Sequence, residues 1–140
     1  MNKTFQLDII TPTSTISEGQ VEYLRAPSVD GLFGVQSRHV SSIITLDIGE
    51  IKVTKDSGEQ ISYSTSGGYA DIRQEGVVLL VENVEKASEI DTKRAMGAQE
   101  RAEKNLKDPE KNLKRAIIAL NKAKNRVRIS SLADGSLPKS

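Results

Sequence analysis

The chain has 140 residues, 36% of them hydrophobic, with two Phe, three Tyr, no Trp and no Cys; that allows one core plus an appendage and excludes a large multidomain protein, a disulfide framework and thiolate metal sites. No stretch approaches the ~18 apolar residues of a membrane span, and residues 1–10 lack the apolar core of a secretory signal. The net charge of +1 hides an asymmetry, since 7 Lys/Arg against 12 Asp/Glu in residues 1–87 give −5, while 13 against 7 in residues 88–140 give +6.

Up to about Val84 the apolar pattern has period two. Phe5, Leu7 and Ile9 form one run, Val21 and Tyr23 another, and Ile51 and Val53 a third, as half-buried strands require. Turn chemistry interrupts the pattern at Thr11-Pro12, Glu18-Gly19, Asp30-Gly31, Ile48-Gly49, Asp56-Ser57-Gly58, Ser66-Gly67-Gly68 and Glu75-Gly76. Many short strands at about ten-residue spacing predict an antiparallel β-sandwich or flattened barrel. The continuous apolar run from Val77 to Val81 is expected to be a central strand.

Beyond Glu85 the period changes and helices are expected. Ser88 followed by Asp91 resembles a capping box, and Ala95, Ala98, Ala102 and Leu106 then recur at three- and four-residue steps. A mostly alanine stripe lets helices approach closely but adheres weakly. Asp108-Pro109-Glu110 offers a cap, a proline for the first helical position and an acid for the helix dipole, so a second helix is expected from there. Leu113, Ala116, Leu120, Ala123 and Val127 make its seam, which predicts an antiparallel hairpin with Ile117 and Ile118 off the seam. The expected fold class is α+β, with a sandwich over 1–86, a helical hairpin over 87–130 and a flexible tail over 131–140.

Catalytic constellations are missing. His39 is the only histidine and there is no cysteine, so the familiar serine, cysteine and zinc sites cannot be assembled. Ser66-Gly67-Gly68 is too short for a phosphate loop and lacks its lysine, which leaves a tight hairpin turn. The basic second half admits three readings: a surface that docks on something acidic, a solvated helical face with ion pairs to Glu100 and Glu103, or a nucleic-acid-binding module. It carries no aromatic residue to stack on bases, which weighs against nucleic acid.

The order of the motifs carries a family likeness. Thr11-Pro12, Glu18-Gly19-Gln20-Val21-Glu22, Asp30-Gly31-Leu32-Phe33-Gly34-Val35, His39, Ser66-Gly67-Gly68 and Ile90-Asp91-Thr92-Lys93-Arg94-Ala95 together resemble the epsilon subunits of F-type, proton-driven rotary ATP synthases. The resemblance implies a non-catalytic subunit of the central stalk. Its sandwich would sit on the gamma subunit and the c ring, passing torque from proton flow to ATP synthesis. Its hairpin would fold down or extend along gamma towards the alpha and beta subunits, where it inhibits ATP hydrolysis. The implied location is peripheral, on the cytoplasmic face of a bacterial inner membrane or the stromal face of a thylakoid.

The same resemblance implies no required cofactor but a regulatory ATP, held through Ile90, Asp91, Arg94 and Ala95 together with Glu85, Arg101 and Arg126. Lys122 stands where the family has a further arginine, keeping the charge but not the planar fork. Arg94 and Arg101 lie two turns apart on one helical face, and Lys122 and Arg126 one turn apart on theirs. Residues 28–34 match the region that touches the c ring, with Asp30, Leu32, Phe33 and, beyond them, His39 as contact residues. Leu32 takes the place of an acid there, so the contact through Leu32 or Phe33 would be apolar.

Overall fold

The computed structural model of the chain describes residues 4–133. Two compact units meet between Val84 and Glu85.

The first unit holds strands β1 (Phe5–Ile10), β2 (Thr15–Ser28), β3 (Gly31–Val35), β4 (Ser42–Leu46), β5 (Gly49–Lys55), β6 (Gln60–Thr65), β7 (Gly68–Arg73) and β8 (Gly76–Val81). One layer runs β1–β8–β7–β4; the other is built on β3, β2, β5 and β6. The long β2 joins them, pairing with β1 through its first half and with β5 and β3 through its second. Alternation turns Leu7 and Ile9, Ile51 and Val53, and Leu79 inward, and a register shift in β2 lets both Val21 and Leu24 join them, so all seven are fully buried. Each such side chain contributes about 1.5–3 kcal/mol by leaving water. The core cluster draws only on residues 5–84.

Strand β8 lies between β1 and β7, as the apolar run predicts, but it pairs with β1 in parallel. One crossing therefore departs from a purely antiparallel sandwich. Ser66-Gly67-Gly68 does not close a hairpin either. Strand β6 pairs with β5 in one layer and β7 with β4 and β8 in the other, so the glycine pair carries the chain between layers. Gly68 has φ +147°, and a Cβ there would collide with the Leu80 carbonyl oxygen.

Glu18-Gly19, expected as a turn, is a bulge inside β2. Leu7 pairs with Gly19 and Asp8 with Ser17, which leaves Glu18 as the extra residue, and Gly19 takes φ 72°. The bulge turns the Glu18 carboxylate into the interior. There it accepts a hydrogen bond from the Tyr63 hydroxyl and pairs with Lys55 Nζ at 3.1 Å, while Lys55 also donates to the Glu18 carbonyl at 3.0 Å. The charge is thus neutralised where an unpaired carboxylate would be costly.

The second unit begins with the end of the short β9 (Val84–Lys86) and a single 3-10 turn, Ala87–Glu89, followed by α1 (Thr92–Leu106) and α2 (Leu113–Ala133). The N-cap of α1 is Asp91 itself, whose side chain accepts from the Arg94 amide at 3.1 Å; Ser88 belongs to the 3-10 turn and plays no capping part. Helix α2 starts later than Asp108-Pro109-Glu110. Asp108 accepts from the Glu110 amide at 2.9 Å to make a local turn, and Asn112 caps α2 by accepting from the Arg115 amide at 3.1 Å.

The two helices pack through small residues. Ala95 and Ala102 on α1 and Ala116, Leu120 and Ala123 on α2 are buried, while Leu113 at the start of the expected seam is exposed. Ala87, Ile90, Ala95 and Ile129, with Val127 against them, form a compact cluster at the other end. Ile117 and Ile118 are exposed, as their off-seam positions predict. Helix α2 continues to Ala133, and the remainder of the expected tail, residues 134–140, lies outside the described residues.

Candidate functional site

The first turn of α1 sets the site. Capping by Asp91 starts the helix so that Ala95 and Ala102 face α2, and positions one residue earlier, Arg94 and Arg101, fall beside that seam on one face. Both arginines line a cleft of about 340 Å³ together with Glu85, Glu89, Asp91, Ala98 and Arg126. A second opening of about 410 Å³ shares Asp91, Arg94 and Arg101 and adds Lys93 and Gly97. Cavities of a few hundred Å³ are the size that takes a small ligand.

Arg126 enters from α2 and is held by Glu85 in a bidentate pair, Nε to Oε1 at 2.6 Å and Nη2 to Oε2 at 3.0 Å, with both side chains 29% exposed. Arg94 and Arg101 have no carboxylate within 4.0 Å among the described residues. The ion pairs to Glu100 and Glu103 of the solvated-face reading do not form among the described residues; Glu103 instead accepts from Gln99 at 3.1 Å. Two free planar forks next to a third are suited to oxyanions, which guanidinium groups bind bidentately.

Of the eight residues proposed to hold a nucleotide, Glu85, Asp91, Arg94, Arg101 and Arg126 line this cleft. Ile90 and Ala95 line neither opening and are buried in the small apolar cluster with Ala87 and Ile129. Lys122 lines neither opening. Glu89 was not singled out by the sequence; it follows Ser88 in a turn whose geometry, not its residue types, brings it to the cleft.

The expected contact residues of the first unit are less uniform. Asp30 and Leu32 sit at the β2–β3 turn, which Ser28 braces by donating from Oγ to the Gly31 carbonyl at 2.6 Å, and Leu32 is 69% exposed. Phe33 alternates with Leu32 and is partly buried against the core, leaving Leu32 the more exposed of the two. His39 follows the other end of β3, where Arg38 takes φ 67° and the His39 Nδ1–H donates to the Val40 carbonyl at 2.8 Å.

One surface escaped the sequence pattern. On the outer face of β4, β7 and β8, Thr45 pairs with Tyr69 and Tyr69 with Leu80, placing Ile43, Tyr69 and Leu80 on one side of the layer at 75, 55 and 45% exposure. The doublets Ile43-Ile44 and Leu79-Leu80 were its only trace, because each puts one apolar residue on either face. An apolar face of this kind is suited to contact with another protein.

Two family models match the chain in the order of its units: the ATP synthase Delta/Epsilon chain beta-sandwich domain over residues 4–87 and the Delta/Epsilon chain long alpha-helix domain over residues 88–131. The class is thereby a two-part Delta/Epsilon chain, a non-catalytic part of an ATP synthase. The chain is 35% identical over 130 residues to the ATP synthase epsilon chain of Desulforamulus reducens, covering 91% of this chain and 98% of that one. It is 37% identical over 131 residues to the epsilon chain of Staphylococcus haemolyticus, covering 92% and 98%. This chain belongs to the ATP synthase epsilon chain family. Its fold matches a chain in the cryo-EM structure of the Euglena gracilis mitochondrial ATP synthase with TM-score 0.79 at 20% identity, covering 92% of this chain and 81% of that chain. A chain in the central stalk and c-ring structure of the Tetrahymena thermophila mitochondrial enzyme matches with TM-score 0.57 at 16% identity, covering 92% and 95%. Among the described residues no helix is long and apolar enough to cross a membrane.

Proposed function

We propose that this chain works in the central stalk of its ATP synthase, where the sandwich couples rotation of a c ring to ATP synthesis and the helical unit restrains ATP hydrolysis in response to bound ATP. The cleft of Arg94, Arg101 and Arg126 carries the proposal. Three arginines from two facing helices line it, and a triphosphate bridging them would hold the helices together. The seam itself is weak, since each buried alanine methyl contributes only about 0.8 kcal/mol. A hairpin held by so little apolar burial can have two states a few kcal/mol apart, which a ligand binding one of them will redistribute.

The face of Ile43, Tyr69 and Leu80 is suited to the gamma subunit, and the exposed turn of Asp30 and Leu32 to the c ring. Such contacts would place the chain at the cytoplasmic side of the membrane through its complex. The basic surface of α2, with Lys111, Lys114 and Arg115 exposed near its start, favours an acidic partner on the alpha and beta subunits for the extended hairpin. Reconstitution with alpha, beta and gamma subunits tests this, using the full chain and a chain ended at Lys86. Both are expected to join the complex, and only the full chain to slow ATP hydrolysis. Failure of the shortened chain to join, or equal hydrolysis rates with both, would refute the division of labour.

A further inference from the structure

Asp108-Pro109-Glu110 carries the signals of a helix start, yet α2 begins one turn later, behind Asn112. The earlier start is nonetheless built. Asp108 Oδ1 accepts from the Glu110 amide at 2.9 Å, the bond an N-cap makes to the second residue of its helix, and the Asp108 carbonyl accepts from the Lys111 amide at 3.1 Å. Residues 108–111 are thus one capped turn of their own. Asn112 separates them from α2, accepting from the Arg115 amide at 3.1 Å through its side chain and from the Ala116 amide at 3.0 Å through its carbonyl. None of residues 107–112 is a glycine or has a positive φ, so the two turns can merge without any residue crossing from the left-handed region. Residues 109–112 are all exposed, and the change displaces no packed side chain. Pro109 sets the limit. It suits the first position of a helix, but within a helix running from α1 into α2 it would lose a hydrogen bond and clash with the Asn105 carbonyl, so α1 cannot continue into α2.

We propose that residues 109–112 are a stored helical turn: α2 starts behind Asn112 while it is packed on α1, and takes these residues up behind Asp108 when it parts from α1. The inference rests on the two-state reading of the hairpin and adds what changes at its tip. In the longer helix the amides of Leu113, Lys114 and Arg115 donate to the carbonyls of Pro109, Glu110 and Lys111, so backbone bonds replace the Asn112 cap. Glu110 comes to lie at the positive end of the helix dipole with Lys114 four residues on, in the favourable order of acid before base, partly offset by Lys111 above Arg115. Against the longer helix, the connection to α1 shrinks from residues 107–112 to Lys107 and Asp108 alone, the short limit for joining antiparallel helices. The packed seam therefore favours the short α2. A parted α2 favours the long one, about 6 Å longer.

Asn112→Ala tests this, because it removes the inner cap and puts a good helix former inside the longer helix. Cα chemical shifts and amide exchange are followed in the isotopically labelled full chain, as wild type, N112A and D108A/N112A, with the amides of β8 showing that each variant folds. In N112A the ratio of long to short α2 should rise about five-fold or more, the worth of one N-cap. The Cα shifts of residues 110–112 then move towards helical values, the amides of Leu113 and Lys114 exchange more slowly, and those of residues 100–106 exchange faster. Adding D108A should reverse the gain at residues 110–112. An inner cap with no stored turn behind it gives the opposite sign, a frayed start to α2 with faster exchange at residues 113–115; that result, or unchanged Cα shifts at residues 110–112, would overturn the proposal. Helical shifts without faster exchange in α1 would overturn it too, since the turn would not be tied to parting of the helices. The two-state reading is judged separately, by the response of exchange in wild-type α1 and α2 to ATP.

Discussion

Towards the loop that joins the helices, Leu120 is a large buried side chain of α2, at 8% exposure, in the same seam as the buried Ala102, Ala116 and Ala123. Leu120→Ala therefore attacks the hairpin at its tip. A buried Leu→Ala change costs about 2–5 kcal/mol, with the low end applying where the surroundings can close in; between two helices with few other contacts, about 2–3 kcal/mol is expected. The three alanine methyls together supply about 2.5 kcal/mol, so the substitution removes roughly half of the local apolar stabilisation. The far end remains pinned by Ile90, Ala95 and Ile129. Amide hydrogen exchange reads the result directly. Amides near residues 100–106 and 113–121 should exchange roughly 30- to 150-fold faster, those near Ile129 less so, and those of β8 (Gly76–Val81) not at all. Unchanged exchange in the helix tips, or an equal rise in β8, would refute the weak-seam argument.

Replacing Arg94 and Arg101 together by Ala should weaken ATP binding by at least about a hundred-fold, since each charge-assisted contact to phosphate is worth about 1.5–3 kcal/mol, whereas Lys122→Ala should change it less than about three-fold because Lys122 lines neither opening; calorimetry on the isolated chain checks both. Lys55→Ala leaves the buried Glu18 carboxylate without its cation and should cost about 3 kcal/mol in urea unfolding, while Tyr63→Phe, which removes only the hydroxyl donor, should cost about 1–2 kcal/mol. Converting Lys111, Lys114 and Arg115 to Glu should keep helicity, since Glu and Lys have similar propensities, and speed ATP hydrolysis by the reconstituted complex; an unchanged rate would mean that the positive charge is only a solvated surface.

Local pattern was a good guide wherever burial repeats at a fixed step. Alternation placed Leu7 and Ile9 inside, and three- and four-residue steps placed Ala95 and Ala102 against α2. It failed where the same local chemistry serves two long-range arrangements. Glycine at positive φ suits a hairpin turn and a bulge alike; partners far along the chain, Tyr63 and Lys55, draw Glu18 inward and fix the bulge. Ser66-Gly67-Gly68 reads as a turn in either case, and only the pairing of β6 and β7 with different strands makes it a crossing between layers. Asp108 and Asn112 were both competent caps, and the helix begins at the second. In the site, the arginines were legible through the family likeness and helical spacing. The pairing of Glu85 with Arg126 across 41 residues was not, because it depends on how the hairpin closes.

The most direct test of a nucleotide-responsive hairpin is a titration of the isolated full chain with ATP and with ADP, followed both by heat and by amide exchange in α1 and α2. Saturable one-to-one binding is expected, tighter for ATP because it presents one more phosphate to Arg94, Arg101 and Arg126, with exchange in the two helices slowing as the cleft fills. Absence of heat and of added protection at about 10 mM ATP, some 5.5 kcal/mol beyond a Kd of about 1 μM, would contradict it.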